Sequence, residues 1–219
     1  MYTFIFSFYI SYELLHVLMF ICVNLFILEI EGCMEKFKVR LVKKEDTKAI
    51  LNIYAYYVEN TSITFECEVP TIEAFKKRIV STSAFFPYLV LEDEDGVAGY
   101  CYASFYRVRE AYRYSCELSI YVDVNKRGKG FGNILYERLE KILKVQGFQN
   151  IYACITYPNV DSERFHQKHG FVRNAHFQKC GYKFEEWHDM IWMEKIIGNH
   201  PDKMEPLQSV QDINVEELL

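Results

Sequence analysis

The apolar patterning predicts an α+β fold built on a mixed, mostly antiparallel sheet. Three observations predict it. Alternating strand patterns with a hairpin signal fill the middle of the chain. One strand–helix–strand unit follows, from Ser115 to Tyr157, and sets two parallel strands side by side. A last pair of strand patterns then closes the order. The chain has 219 residues and 50% are hydrophobic, enough to bury the core of one medium domain without staples.

Residues 1–33 stand apart. From Leu14 to Leu28 only His16 and Asn24 are polar, which approaches the roughly 17–25 residues of a membrane span. Glu13 breaks the longer run, no Lys or Arg precedes Lys36, and neither a positive leader nor a small-residue cleavage site is clear. Met34 is followed by "EKFKVRLVKKEDTKAI", which reads as the natural start of a soluble domain. Residues 1–33 are therefore read as an upstream extension with a mis-assigned start, ahead of a membrane anchor. Residues 34–197 form the domain, and residues 198–219 an acidic polar tail expected to be loose.

Within the domain, Phe37, Val39 and Leu41 alternate with Lys38 and Arg40, a strand from Lys36 to Val42. Asp46 is a candidate N-cap for a helix to about Val58, with Ile50, Ile53, Tyr54 and Tyr57 on one face. "ENTSITFE" is a polar loop, and Pro70 and Thr71 open a second helix, "TIEAFKKRIVS". "YLVLE" and "VAGYCYASFY" are strands joined by the turn "DEDG". "RYSCELSIYVDV" is a longer strand. "FGNILYERLEKILKVQG" is a helix with Ile134, Leu135, Leu139, Ile142 and Leu143 on one face and Gly147 as its stop. "NIYACITY" is a strand, "DSERFHQKHG" a short helix ended by Gly170, and "FVRNAHFQKCGYKFEEWHDMIWMEKII" holds two more strands.

The net charge of -5 argues against a dedicated nucleic-acid binder, so the basic residues that matter are local. The 7 cysteines are odd in number, scattered and without C-x-x-C, which argues against a disulfide framework or structural zinc. Cys101, Cys116 and Cys154 read as small core residues in a reducing compartment, the cytoplasm. His166 and His169 share one helix, but no Asp or Glu completes a convincing ligand set, and no metal is expected.

The stretch "YVDVNKRGKGFG", Tyr121 to Gly132, turns a strand into a helix through three glycines, with Arg127 and Lys129 adding positive charge. Glycine lets a ligand approach the backbone, and the helix N-terminus favours an anion such as a pyrophosphate. A P-loop would need Lys after Gly130, where Phe131 stands. Gly128, Gly130 and Gly132 give G-x-G-x-G, not the Rossmann G-x-G-x-x-G.

Arg127-Gly128-Lys129-Gly130-Phe131-Gly132 resembles [QR]-x-x-G-x-[GA], the acetyl-CoA pyrophosphate loop of the GNAT acetyltransferase superfamily. "FYRVREAYRYSCELSIYVDVNKRGKGFG", "NIYACITYPNVDSERFHQKHGFV" and "CGYKFEEWHDMIWMEK" together resemble the phosphinothricin N-acetyltransferase and L-amino acid N-acetyltransferase family, over about Lys36 to Lys195. The resemblance implies the GNAT fold, acetyl-CoA as co-substrate, no metal, and a homodimer. It implies that backbone groups of Ile120, Tyr121 and Val122 pair with the pantetheine arm and that amides of Arg127 to Gly132 hold the pyrophosphate. Asn159 matches the family's coenzyme-binding Asn, against the plainer reading of a turn residue after Pro158, and Ser162 helps hold the coenzyme.

An amine must lose a proton to attack a thioester, so a base is needed. By its letters Glu117 is evenly balanced between an outward strand carboxylate and a catalytic base; the resemblance makes it the base. His166 stands where many members carry Tyr, and acts as proton donor to coenzyme A or in the base relay, against a packing or helix-dipole His. Phe65, Arg107, Arg109 and Tyr112 match positions that line or grip the acceptor in relatives; Arg suits a carboxylate or phosphinate, while a solvated basic turn competes for the two arginines. The expected reaction is acetyl transfer to the amine of a small amino acid or analogue, of the phosphinothricin or methionine sulfone type. The alternatives are a protein N-acetyltransferase and a non-catalytic acyl-CoA sensor.

Overall fold

The computed structural model describes residues 37–219. The 1–33 segment, and the choice between extension and anchor, lie outside those residues. The order is β1 (Phe37–Leu41), α1 (Thr47–Asn60), α2 (Ile72–Ser83), β2 (Tyr88–Asp93), β3 (Gly96–Phe105), β4 (Ser115–Val122), α3 (Phe131–Gln146), β5 (Asn150–Tyr157), α4 (Val160–Lys168), β6 (Val172–Lys183) and β7 (Glu186–Ile196). The strands form one 7-stranded sheet in the order β1-β2-β3-β4-β5-β7-β6. β2–β3, β3–β4, β5–β7 and β6–β7 are antiparallel, and β4–β5 is the expected parallel pair around α3.

Period-2 alternation divides the core between the two faces of the sheet. On one face Leu135, Leu139, Ile142 and Leu143 of α3 pack on Cys101, Ala103, Cys116, Leu118, Ile151 and Ala153. On the other, Ile50, Tyr54 and Tyr57 of α1 and Phe75 and Ile79 of α2 pack on Tyr88, Val90 and Tyr100. Gly147 stops α3 in the left-handed conformation, φ 96.

Three expectations are corrected. Asp46 does not cap α1. Its carboxylate takes a two-pronged bond from Arg40 at 2.7 and 2.8 Å and another from the Lys43 N–H at 2.7 Å, a stronger partner than a helix amide. Cys154 is exposed, unlike Cys101 and Cys116; alternation along β5 buries Ile151, Ala153 and Ile155 and turns Cys154 to the opposite face. The C-terminal segment is not loose. Val210 and Val215 are buried, with Leu207 and Ile213 packed against the same core. The Val210 N–H donates to Phe85 O, and the Gln208 N–H to Gln146 O, both at 3.0 Å. The acidic composition of the tail hid these widely spaced apolar anchors.

Candidate active site

The site begins where two parallel strands part. β4 and β5 pair only from Ser115–Asn150 to Glu117–Tyr152. Beyond that point β4 stays with β3 as far as Val122–Gly99, and β5 stays with β7 as far as Tyr157–Asp189. The β3–β4 ladder is anchored at one end by Tyr106 N–H to Ser115 O, and at the other by Asp123 N–H to Ala98 O. Hydrogen-bonded and non-hydrogen-bonded pairs alternate between them. Tyr121 therefore bonds to β3, and the backbone groups of Ile120 and Val122 face the gap. This corrects the expectation for Tyr121, whose ring instead packs edge-on against Tyr54 and Tyr57 and stacks on Tyr100. The Tyr57 hydroxyl donates to Val122 O at 2.5 Å and steadies that rim.

The basic loop leads from this gap to α3. Asp123 accepts the Asn125 N–H at 2.8 Å and starts a tight turn. Lys126 is held by Asp93 at 2.5 Å and by Asp95 at 3.3 Å, so its charge is already matched. Arg127, Gly128 and Lys129 are exposed, and the Arg127 guanidinium rests 5.1 Å from the Tyr57 ring centroid. Gly128 and Gly130 have φ 78 and φ 82, a conformation that β-carbons disfavour. Gly130 directly precedes α3, and its carbonyl accepts the Asn133 and Ile134 N–H groups at 3.0 and 3.2 Å. A Cβ at Gly132 would meet the Phe165 ring at 3.5 Å, an ordinary contact, so the chain itself does not demand glycine there. The arrangement is a helix N-terminus flanked by open space and two exposed cations, suited to an anion.

Across the gap, Asn159 caps α4: its Oδ1 accepts the Ser162 N–H at 3.1 Å, which leaves its amide hydrogens as donors. One turn on, His166 is 7% exposed. Its Nδ1 lies 2.7 Å from the Ser162 carbonyl, and a carbonyl only accepts, so Nδ1 carries the proton. Its Nε2 is buried without a partner. The ring meets Phe165 and Phe171 edge-on, and burial lowers its pKa to about 4. His166 is thus neutral, with its unprotonated Nε2 as an acceptor. His169 is directed elsewhere, to Asn133 Oδ1 at 2.9 Å.

Glu117 sits at the last paired position of β4, half-buried, on the face opposite Cys116 and Leu118. Burial raises its carboxyl above the usual range, and the Arg107 guanidinium opposes that shift. Arg107 is held by aromatic faces, 4.4 Å from the Tyr106 centroid and 5.2 Å from that of Trp192. Tyr106 stacks on Tyr152 at 4.2 Å and meets Tyr112 edge-on at 5.8 Å. Arg107 and Tyr112 therefore share one aromatic platform, and Arg107 is within electrostatic reach of Glu117. Arg109 lies on the exposed turn after β3, and among the described residues no side-chain contact brings it to this platform. Phe65 lies against Gly181 of β6 and near His188.

Sequence reasoning missed Tyr106, Tyr152 and Trp192, because only the fold brings three distant aromatic residues together. It also missed Lys183, which is buried in "CGYKF" and donates to Thr61 O and Thr64 O. An isolated Lys in a strand pattern gives no signal of a buried role.

A family model described as an acetyltransferase (GNAT) domain matches residues 39–192. A phosphinothricin N-acetyltransferase of Streptomyces viridochromogenes is 31% identical over 158 residues, 72% of this chain and 86% of the relative. An L-methionine sulfoximine/L-methionine sulfone acetyltransferase of Salmonella typhimurium is 30% identical, over 74% of this chain and 95% of the relative. The crystal structure of a GNAT superfamily phosphinothricin acetyltransferase from Sinorhizobium meliloti, in complex with AcCoA, superposes with a TM-score of 0.74 at 30% identity, covering 82% of this chain and 98% of that one. With the parted β4 and β5, the glycine-rich helix start and the matched domain all in one place, the chain belongs to the GNAT acetyltransferase family.

Proposed function

We propose that the chain is an acetyl-CoA-dependent N-acetyltransferase whose acceptor is the primary amine of a small amino acid or amino-acid analogue. The observation that carries this is the placing of Glu117. It is a half-buried carboxylate where β4 leaves β5, with the Arg107 guanidinium in electrostatic reach. Acetyl-CoA supplies the acetyl group as a thioester. The residues present fit it: backbone groups of Ile120 and Val122 facing the gap, the amides of Arg127 to Gly132, and the Asn159 amide, with Ser162 fixing the helix start.

Glu117 is the base that takes a proton from the acceptor ammonium; its raised pKa brings it closer to the amine it must serve. Arg107, with Tyr112, grips the acceptor carboxylate, and Phe65 covers its side chain. Arg109 contributes long-range charge only. His166 positions the coenzyme end of α4 or relays a proton through its acceptor Nε2. The names of the relatives support a small amine acceptor. Free cysteines at exposed positions Cys67, Cys154 and Cys180 support a reducing, cytoplasmic setting. Exposed Phe177, Tyr182, Phe184 and Trp187 on the β6–β7 hairpin support a homodimer, which light scattering on the purified chain would test.

The test is thiol release from acetyl-CoA with the common amino acids, methionine sulfone, methionine sulfoximine and phosphinothricin as acceptors. Turnover with at least one of them is expected. Acetyl-CoA binding without turnover on any would favour a sensor. Turnover only on peptide N-termini would favour a protein acetyltransferase.

A further inference from the structure

The connection between α1 and α2 is tied down from four directions. Lys183 of β6 donates to Thr61 O and to Thr64 O, both at 2.8 Å. The Thr156 hydroxyl of β5 donates to Ser62 O at 2.5 Å. The Tyr54 and Thr64 hydroxyls share a bond at 2.8 Å. The Phe65 ring lies so close to Gly181 that a Cβ there would sit 2.4 Å from a ring carbon. The His188 ring N–H meets the Lys183 carbonyl at 3.0 Å from the facing strand.

Lys183 is the unusual member. It is 3% exposed, and its ammonium donates to two carbonyls rather than to a carboxylate. Burying an ammonium is costly unless hydrogen bonds replace its lost hydration, and here the two carbonyls do so. Its two acceptors bracket the loop just before Phe65. Thr61, Ser62 and Ile63 of the same segment wall a cavity of about 450 Å³ together with Thr156, Asn159, Phe184 and His188; Phe65 follows two residues on and is not part of that lining. The segment therefore joins the coenzyme side of the site, through Asn159, to the β6–β7 hairpin.

We infer that Lys183 is a positioning residue: by clamping Thr61 and Thr64 it fixes one wall of this cavity and the place of the adjoining Phe65, and so sets the size of the acceptor pocket. The inference rests on the reading that this face receives the acceptor. The clamp holds a pocket, not the reacting atoms. Its loss should raise the acceptor KM and leave kcat and acetyl-CoA affinity nearly intact.

The experiment compares wild type with Lys183→Met, which keeps the apolar stem and removes the donors. The acceptor is whichever compound of the thiol-release series gives the highest turnover. Lys183→Met is expected to raise acceptor KM at least tenfold, with kcat within threefold and acetyl-CoA Kd within twofold. Hydrogen exchange at the Thr61–Phe65 amides should accelerate at least tenfold. Thr156→Val cuts one tie without emptying a charged site and is expected to raise KM about threefold, which covers the case in which Lys183→Met does not fold. Unchanged exchange in Lys183→Met, or in Thr156→Val if Lys183→Met does not fold, would overturn the clamp. Faster exchange with an unchanged acceptor KM would overturn the link to the pocket. If wild type acetylates none of the series, the acceptor reading fails by itself, and the exchange measurement still decides the clamp.

Discussion

The eight residues of β4 alternate between two faces that do opposite work. Cys116 and Leu118 point to α3 and are 0% and 5% exposed, sealed among aliphatic side chains. Glu117, Ser119 and Tyr121 point the other way and are half-buried. One face holds the strand in the sheet; the other is where burial is left incomplete and a carboxylate can be kept. Cys116 and Leu118 anchor the strand to the core while its other face carries the costly group. The difference predicts that damage to the two faces will separate: one should remove turnover with the fold intact, the other should remove stability with the chemistry intact.

The largest effect is expected from Glu117→Gln. Loss of a general base lowers rate by roughly 10²- to 10⁴-fold. The shape is preserved, so acetyl-CoA affinity and the melting temperature should not fall. A variant that keeps full turnover would remove Glu117 from the base role. Leu118→Ala breaks the other face. A fully packed leucine truncated to alanine costs about 2–5 kcal/mol, read by denaturant unfolding, while kcat per folded molecule should stay within a few-fold. If Leu118→Ala lost turnover before stability, the division between the faces would be wrong.

Next in size is Gly130→Ala, on the loop that β4 feeds. At φ 82 a β-carbon costs roughly 1–2 kcal/mol of strain, although no neighbour lies within 4 Å of where it would sit. Acetyl-CoA affinity should weaken several-fold with acceptor KM unchanged, measured by calorimetry and steady-state kinetics. Equal affinity would mean that the loop backbone does not meet the coenzyme.

Much of this division was legible in the letters. Alternation along "SCELSIYV" places Glu117 on the face opposite Cys116 and Leu118, and the basic glycine turn marks the ligand end of the strand. Alternation also allows Cys154 to face outward, but an apolar run of short residues conceals which phase is buried. The Tyr121 backbone faces β3 rather than the gap because phase within a ladder is set by the partner strand, which no local pattern reports. The Arg107 platform depends on Tyr106, Tyr152 and Trp192, from β3's end, β5 and β7, and only sheet order joins them. The tail failed for the reverse reason: its composition is dominated by charge, while Val210 and Val215 dock one at a time.

The smallest effect concerns two titrating groups whose burial has opposite consequences. Glu117 is raised in the folded chain by burial, so the folded state binds its proton more tightly than the unfolded state. Its contribution to stability is complete below the unfolded carboxyl value of about 4.3 and is lost as pH rises through the folded value. His166 is lowered from 6.5 to about 4, also by burial. The unfolded state binds that proton more tightly, so stability is complete above 6.5 and is lost as pH falls toward 4. The two slopes oppose each other from about pH 4.3 up to the folded value of Glu117, and a shallow wild-type curve there conceals both. Glu117→Gln should gain stability relative to wild type as pH rises through that window. His166→Gln should gain relative to wild type as pH falls through it. Melting temperatures of the three proteins at half-unit steps would resolve the two tilts. Parallel curves for all three would mean that neither side chain is buried as described, and that the open face of β4 is wetter than its packing implies.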